Sequence, residues 1–205
     1  MHQQLLSEIA PTGTLRVGIN LLNFLLVTGK AADGRPEGVA PDMAHAIAQK
    51  LGLPLELVPF SSPAALADAA LDGVWDIGLI GSEPKRAEKI DFTSAYVEIE
   101  ATYLVPAGSS LRHANEVDQT GHRIAVAAGS AYDLWLVRNI KNATLMHAEG
   151  FDATLDLFVS QKLEAMASLK PGLLGDVEKV PGSRILEGQF TAVQQSVGVP
   201  KGRTE

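Results

Sequence analysis

At 205 residues, 46% hydrophobic and 20% charged, the chain is long enough for one domain or two small lobes and apolar enough for a packed core. A net charge of −7 with no run of lysines or arginines argues against a nucleic-acid partner, because phosphates require a basic face. The absence of cysteine removes disulfides, thiol catalysis and thiolate metal sites.

No stretch approaches the ~20 apolar residues of a spanning helix. The opening residues, Met1 to Ile9, lack the basic segment and long apolar run of a secretory signal. The first predicted strand covers residues 15–19, after the Thr12-Gly13 turn. Residues 21–27 are apolar but irregular, and Gly29, Asp33-Gly34 and Pro36 mark a turn or hairpin tip. Pro41-Asp42 opens a helix whose Met43, Ile47 and Leu51 fall at helical spacing, with Gly52 as its stop. Residues 55–58 read as a strand, 63–71 as a helix and 76–80 as a third strand. This strand-helix alternation predicts a parallel sheet with helical crossovers, whose ligands sit beyond the carboxyl ends of the strands. Asn20 and the Gly81-Ser82-Glu83 turn hold such positions.

A charged segment with Lys85, Arg86, Glu88 and Lys89 follows, then a strand at residues 101–105. Past Gly108 the pattern restarts, with strands at 123–126, 144–146, 165–168 and 184–186. Helices are predicted at 131–139, at 152–160 and from near Pro171. Residues 192–199 form a last strand that runs back across the divide. The halves share alternation, without a direct sequence repeat.

Four segments together resemble one family. Pro84, Arg86, Asp91-Phe92-Thr93 and Tyr96 match its signature of strand, turn, Pro, Arg, Asp-Phe-Ser/Thr and Pro-Tyr. Gly18-Ile19-Asn20 with Phe24 echoes its opening strand, residues 38–52 its first helix, and residues 122–133 the Gly-Ser/Thr motif of its second lobe. The chain thus resembles, over residues 13–200, the solute-binding proteins of amino-acid-type ABC transporters, with the type II periplasmic binding fold. The resemblance implies an α/β fold of two lobes, each a mostly parallel sheet flanked by helices, joined by two hinge strands. Lobe 1 would comprise residues 1–104 plus 190–205, and lobe 2 residues 107–188. It also implies a periplasmic monomer that closes on its ligand and serves a membrane permease. The family pattern continues past the returning strand with further helices, so apolar lobe-1 surface is expected to lie open near Lys201.

The resemblance assigns Arg86 the ligand carboxylate, which a guanidinium grips with two parallel hydrogen bonds. Gly129 and Ser130 precede the helix that Ala131 opens, so amides and helix dipole would point at the ligand. Ser130 with Asp133 also reads as a simple helix cap. Asn20 stands in place of a family aspartate near the ligand, and Gly81 is a further candidate at its own strand end. Phe24 and Phe60 either stack on the ligand or belong to the core. Glu83 either holds a ligand cation or caps the turn at Pro84. The family's late second-lobe aspartate is missing, because the position falls on Leu169 or Lys170. A carboxylate without an ammonium, or one with a second anion for Lys170, is therefore expected.

The alternative is a dehydratase of the cyclohexadienyl or arogenate type, which shares the fold. Its proton donor would come from Glu83, Lys170 or one of His2, His45, His113, His122 and His147. No cofactor and no metal is implied, since there is no His-x-x-x-His and no Gly-rich phosphate loop after a strand.

Overall fold

Leu15, Val17 and Ile19 alternate with Arg16, Gly18 and Asn20, and this period of two folds as strand β1 (Leu15–Asn20), with all three apolar side chains fully buried. The computed structural model of the chain describes residues 2–202, without the side chains of residues 2–5. Met1 and residues 203–205, placed in lobe 1 by the sequence, and the side chain of His2 lie outside the described residues. The chain divides into two compact units, Met1–Val97 with Gln195–Glu205 and Glu98–Gln194. The boundaries expected near residues 104–107 and 188–190 fall inside the second unit, because Ala101–Leu104 are paired with its own sheet.

In the first unit a helix that the sequence pattern did not suggest, α1 (His2–Ile9), precedes β1. A small hairpin, β2 (Gly29–Lys30) with β3 (Pro36–Glu37), leads into α2 (Val39–Leu51), which starts two residues before Pro41. Gly52 closes α2 in the left-handed conformation. Its buried face is an alanine stripe, Ala40, Ala44 and Ala48, which lets the helix lie close to the sheet. Met43, Ile47 and Leu51 pack half-buried along its flank. β4 (Leu55–Phe60) is followed by α3 (Pro63–Asp68), which tightens into a 3-10 turn over Ala69–Leu71. Then come β5 (Ile77–Gly81), a 3-10 turn (Arg86–Glu88) and a short strand absent from the sequence reading, β6 (Ile90–Phe92).

β4, β1 and β5 are parallel, in that order, and β12 (Thr191–Pro200) runs antiparallel beside β5. Gly18 and Gly78 are cross-strand partners under Leu66 of α3, and a Cβ at Gly78 would lie 3.0 Å from Leu66 Cδ2. Their bare backbones let α3 settle on the sheet beside Trp75, whose indole N–H donates to Leu66 O at 3.1 Å.

The second unit begins with β7 (Val97–Val105), of which residues 98–105 belong to it. The succession is β8 (Arg123–Ala127), α4 (Ala131–Asn139), β9 (Thr144–Ala148), α5 (Phe151–Ser160), β10 (Ala165–Leu169), α6 (Lys170–Lys179) and β11 (Arg184–Ile185). β9, β8 and β10 are parallel, with β7 antiparallel beside β10. Phe158, Leu163, Met166 and Leu173 fill the core between the sheet, α5 and α6. Trp135 of α4 and Tyr103 of β7 both contact Phe190, with ring centroids 5.5 and 4.6 Å away.

The two units thus repeat one plan that direct sequence comparison misses. In each, the first strand lies between the second and third, and an antiparallel strand flanks the third. Each also carries the same clamp. The Arg16 backbone N–H and guanidinium both bond the Asp76 carboxylate just before β5. Arg123 does the same to Glu164 just before β10.

Candidate functional site

The carboxyl ends of the first unit's parallel strands collect most of the predicted residues. Asn20 and Phe60 are register partners at the ends of β1 and β4, and Gly81 ends β5. The charged segment after Gly81 folds back on this edge. Arg86 Nη1 donates to Gly81 O at 2.8 Å, and the side chain is almost wholly buried, with the residue 5% exposed. Burial lowers its pKa to about 10, while the charges of Glu83 and Asp68 oppose the lowering. The guanidinium therefore stays charged at neutral pH.

Glu83 caps the turn. Its Oε2 accepts the Lys85 N–H at 2.8 Å and its carbonyl accepts the Ala87 N–H. Asn20 Oδ1 accepts the Leu22 N–H at 3.1 Å, so its carbonyl is used locally, while its amide group has no side-chain acceptor among the described residues. Phe60 packs with Leu66 and Trp75 in the core, whereas Phe24 is 40% exposed. Asn23 Oδ1, the Tyr96 hydroxyl and Gln195 Oε1 are buried without a hydrogen-bond partner among the described residues. Burial pushes the Tyr96 pKa up to about 12.

In the second unit, β8 ends at Ala127 and the turn through Gly129 delivers Ser130 as the N-cap of α4. Ser130 Oγ accepts the Asp133 N–H at 3.0 Å. The Asp133 carboxylate in turn accepts the Gly129 N–H at 2.9 Å, and the Ser130 N–H reaches Ala127 O. The turn amides expected to be free are therefore engaged within the protein. The first-turn amides of Ala131 and Tyr132 remain, because a helix offers them no acceptor. The Tyr132 hydroxyl lies buried beside those of Ser130 and Ser168, short of hydrogen-bond geometry with either, and burial pushes its pKa up to about 12. α6 begins directly after β10, and Lys170 Nζ is paired with Glu100 Oε2 of β7 at 2.6 Å.

His147 is offered by the sequence only as one of several candidate proton donors, without its partner. It is on β9, beside the end of β8, and its Nε2 lies 2.8 Å from Asp133 Oδ1. No local spacing announces this pair, because the strand register creates it. Asp133 was legible only as a helix cap.

The sequence profile of the bacterial extracellular solute-binding proteins, family 3, matches residues 17–205. The chain belongs to this family. Among curated relatives, the L-cystine-binding protein TcyJ of Escherichia coli strain K12 is 23% identical, over 98% of this chain and 76% of its own length. Among solved structures, the ancestral amino acid-binding protein AncCDT-1, described as a precursor of cyclohexadienyl dehydratase, superimposes with a TM-score of 0.75 at 24% identity, over 96% of this chain and 86% of that one. Holo ArgBP from T. maritima gives the same TM-score at 20% identity, over 95% and 86%. These likenesses establish the periplasmic-binding-protein-like α/β fold. As a family 3 member the chain has a solute-binding role, with a small-molecule ligand and an ABC permease as partner. Among the described residues no helix is long and apolar enough to cross a membrane.

Proposed function

We propose that this family 3 member captures a small carboxylate-bearing solute outside the cytoplasm for an ABC importer, and that Arg86 is the carboxylate anchor. The supporting observation is a buried, charged guanidinium held against Gly81 O at the carboxyl end of three parallel strands. A bound carboxylate would accept two parallel bonds from the guanidinium. In the second unit, Ser130 and the amides of Ala131 and Tyr132 supply neutral donors suited to a second polar group. Asn20 contributes its amide group.

An organic anion without an ammonium fits these residues best. Leu169 and Lys170 hold the position of the family's acidic partner, and Glu100 is already paired with Lys170. Glu83 is committed to Lys85 and to the field around Arg86. The competing reading, an α-amino acid, is favoured by the names of the relatives, which bind L-cystine or arginine. A calorimetric screen of succinate, pyruvate, L-glutamine, L-arginine and L-cystine separates the two. Binding of the first pair with none of the amino acids is expected, and micromolar binding of an amino acid alone overturns the ligand class.

The dehydratase reading rests on the AncCDT-1 likeness. Against it, each candidate proton donor in the described sites has a local partner: Glu83 with Lys85, Lys170 with Glu100, and His147 with Asp133. Turnover of prephenate or arogenate by the purified protein would restore it.

A further inference from the structure

Resting on the reading of the Gly129-Ser130 turn as a ligand-binding element, we propose that His147 is a positioning residue for that turn, acting through Asp133. One carboxylate joins three parts of the second unit. Asp133 Oδ2 accepts the Gly129 N–H at 2.9 Å, and Oδ1 meets His147 Nε2 at 2.8 Å. The Asp133 backbone N–H is held by Ser130 Oγ at 3.0 Å. An ionised carboxylate has no proton to give, so Nε2 carries the hydrogen and donates it.

The burial contrast gives the pair its direction. The Asp133 side chain is 6% exposed and the imidazole 43% exposed. A half-exposed ring adds little burial here, whereas a buried carboxylate that loses a donor is strongly affected. Helix capping needs only Ser130 and Asp133. The imidazole adds a tie to the neighbouring strand. β9 also reaches the turn by its backbone, since the Ala128 N–H donates to Ala148 O at 2.9 Å. The register Val126↔His147 and Ala127↔Ala148 places both contacts at the end of β8. Gly129 sits at φ 69°, a left-handed conformation held here by its N–H bond to Asp133. His147 therefore sets the orientation of Asp133, Asp133 sets the Gly129 peptide, and that peptide sets the direction of Ser130 and the first amides of α4.

The test compares His147→Ala, His147→Gln and His147→Asn with Ser130→Ala. A glutamine amide nitrogen falls about where Nε2 lies, whereas that of asparagine falls short. Amide hydrogen exchange at Gly129 is read in the ligand-free protein, and Kd for the strongest binder among succinate, pyruvate, L-glutamine, L-arginine and L-cystine. His147→Ala and His147→Asn are expected to speed Gly129 exchange and weaken binding, each by about tenfold. His147→Gln is expected to restore both to within about twofold. A merely structural histidine would lower the unfolding midpoint with Gly129 exchange and Kd unmoved, or would show no rescue by glutamine. Either result overturns the role. Wild-type binding by Ser130→Ala would instead sink the reading of the turn as a ligand element, and the positioning role with it. That result comes from a variant in which His147 is intact, so the two failures are distinct.

Discussion

Arg86→Met removes the guanidinium and keeps most of the side chain's apolar length. In the ligand-free protein, burial lowers the Arg86 pKa from the ordinary arginine value to about 10, which corresponds to about 3 kcal/mol of disfavoured charge. A solute carboxylate that pairs with this cation recovers that cost and adds two hydrogen bonds. Truncating one partner of such a pair costs about 2–5 kcal/mol, or roughly 30-fold to a few thousandfold in Kd. The variant also leaves Glu83, which is 6% exposed, without its neighbouring cation. That loss is offset by relief of the buried Arg86 charge, so unfolding stability should change by no more than about 1 kcal/mol. Glu83→Gln added to Arg86→Met should make the protein more stable than the single variant and restore none of the binding, because a glutamine oxygen still accepts the Lys85 N–H. Calorimetry reads Kd and urea unfolding reads stability. A Kd within about threefold of wild type in a folded Arg86→Met protein would refute the anchor.

The three tyrosines, Tyr96, Tyr103 and Tyr132, all have their ionisation pushed upward by burial. Between pH 10 and about 12 the unfolded chain sheds phenolic protons that the folded chain keeps, so stability falls as pH rises through this window. Arg86 acts in the opposite direction above pH 10, because its folded pKa is depressed. Phenolate absorbance should appear together with loss of circular dichroism, and a titration near the free tyrosine value in folded protein would contradict the burial. Gly198→Ala should destabilise by about 1–3 kcal/mol, because its Cβ would lie 2.5 Å from Ile90 Cγ2; an unchanged urea midpoint would mean that β6 yields freely. Asp76→Ala should cost about 3–5 kcal/mol and Glu164→Ala about 1 kcal/mol, since the Asp76 side chain is fully buried and that of Glu164 is 32% exposed. Equal losses in chemical denaturation would show that burial does not set the strength of the two clamps.

Most strands and helices were legible because each carried its own period and stop signal, as in the run from Pro41-Asp42 to Gly52. What local pattern cannot carry is pairing. β6 exists because residues 198–200 lie beside it, some hundred positions later in the chain. The alanine stripe of α2 was overlooked in favour of larger residues, although small ones do the close packing. Arg86 was legible through its surrounding motif, whereas its burial against Gly81 depends on how the turn folds back. Glu83 and Lys170 each carried an open choice of partner in the sequence, and local geometry gives them Lys85 N–H and Glu100. The pairing of His147 with Asp133 had no local signal, since only the β8–β9 register brings the two together.

The discontinuity of the first unit governs the order in which the chain can acquire its structure during synthesis. Residues 98–194 form an uninterrupted stretch and hold every strand of their own sheet. The first unit does not: β5 has an open edge, and β6 no partner strand in its own unit, until residues 195–200 leave the ribosome. The N-terminal half must therefore wait, with the core around Leu15, Ile19 and Leu79 still lacking Val197 and Val199, while the whole second unit is made. A nascent chain stalled before Gln195 would hold a finished second unit and an unfinished first one. Its exposed β5 edge is where a chaperone would bind or where two such chains would pair wrongly.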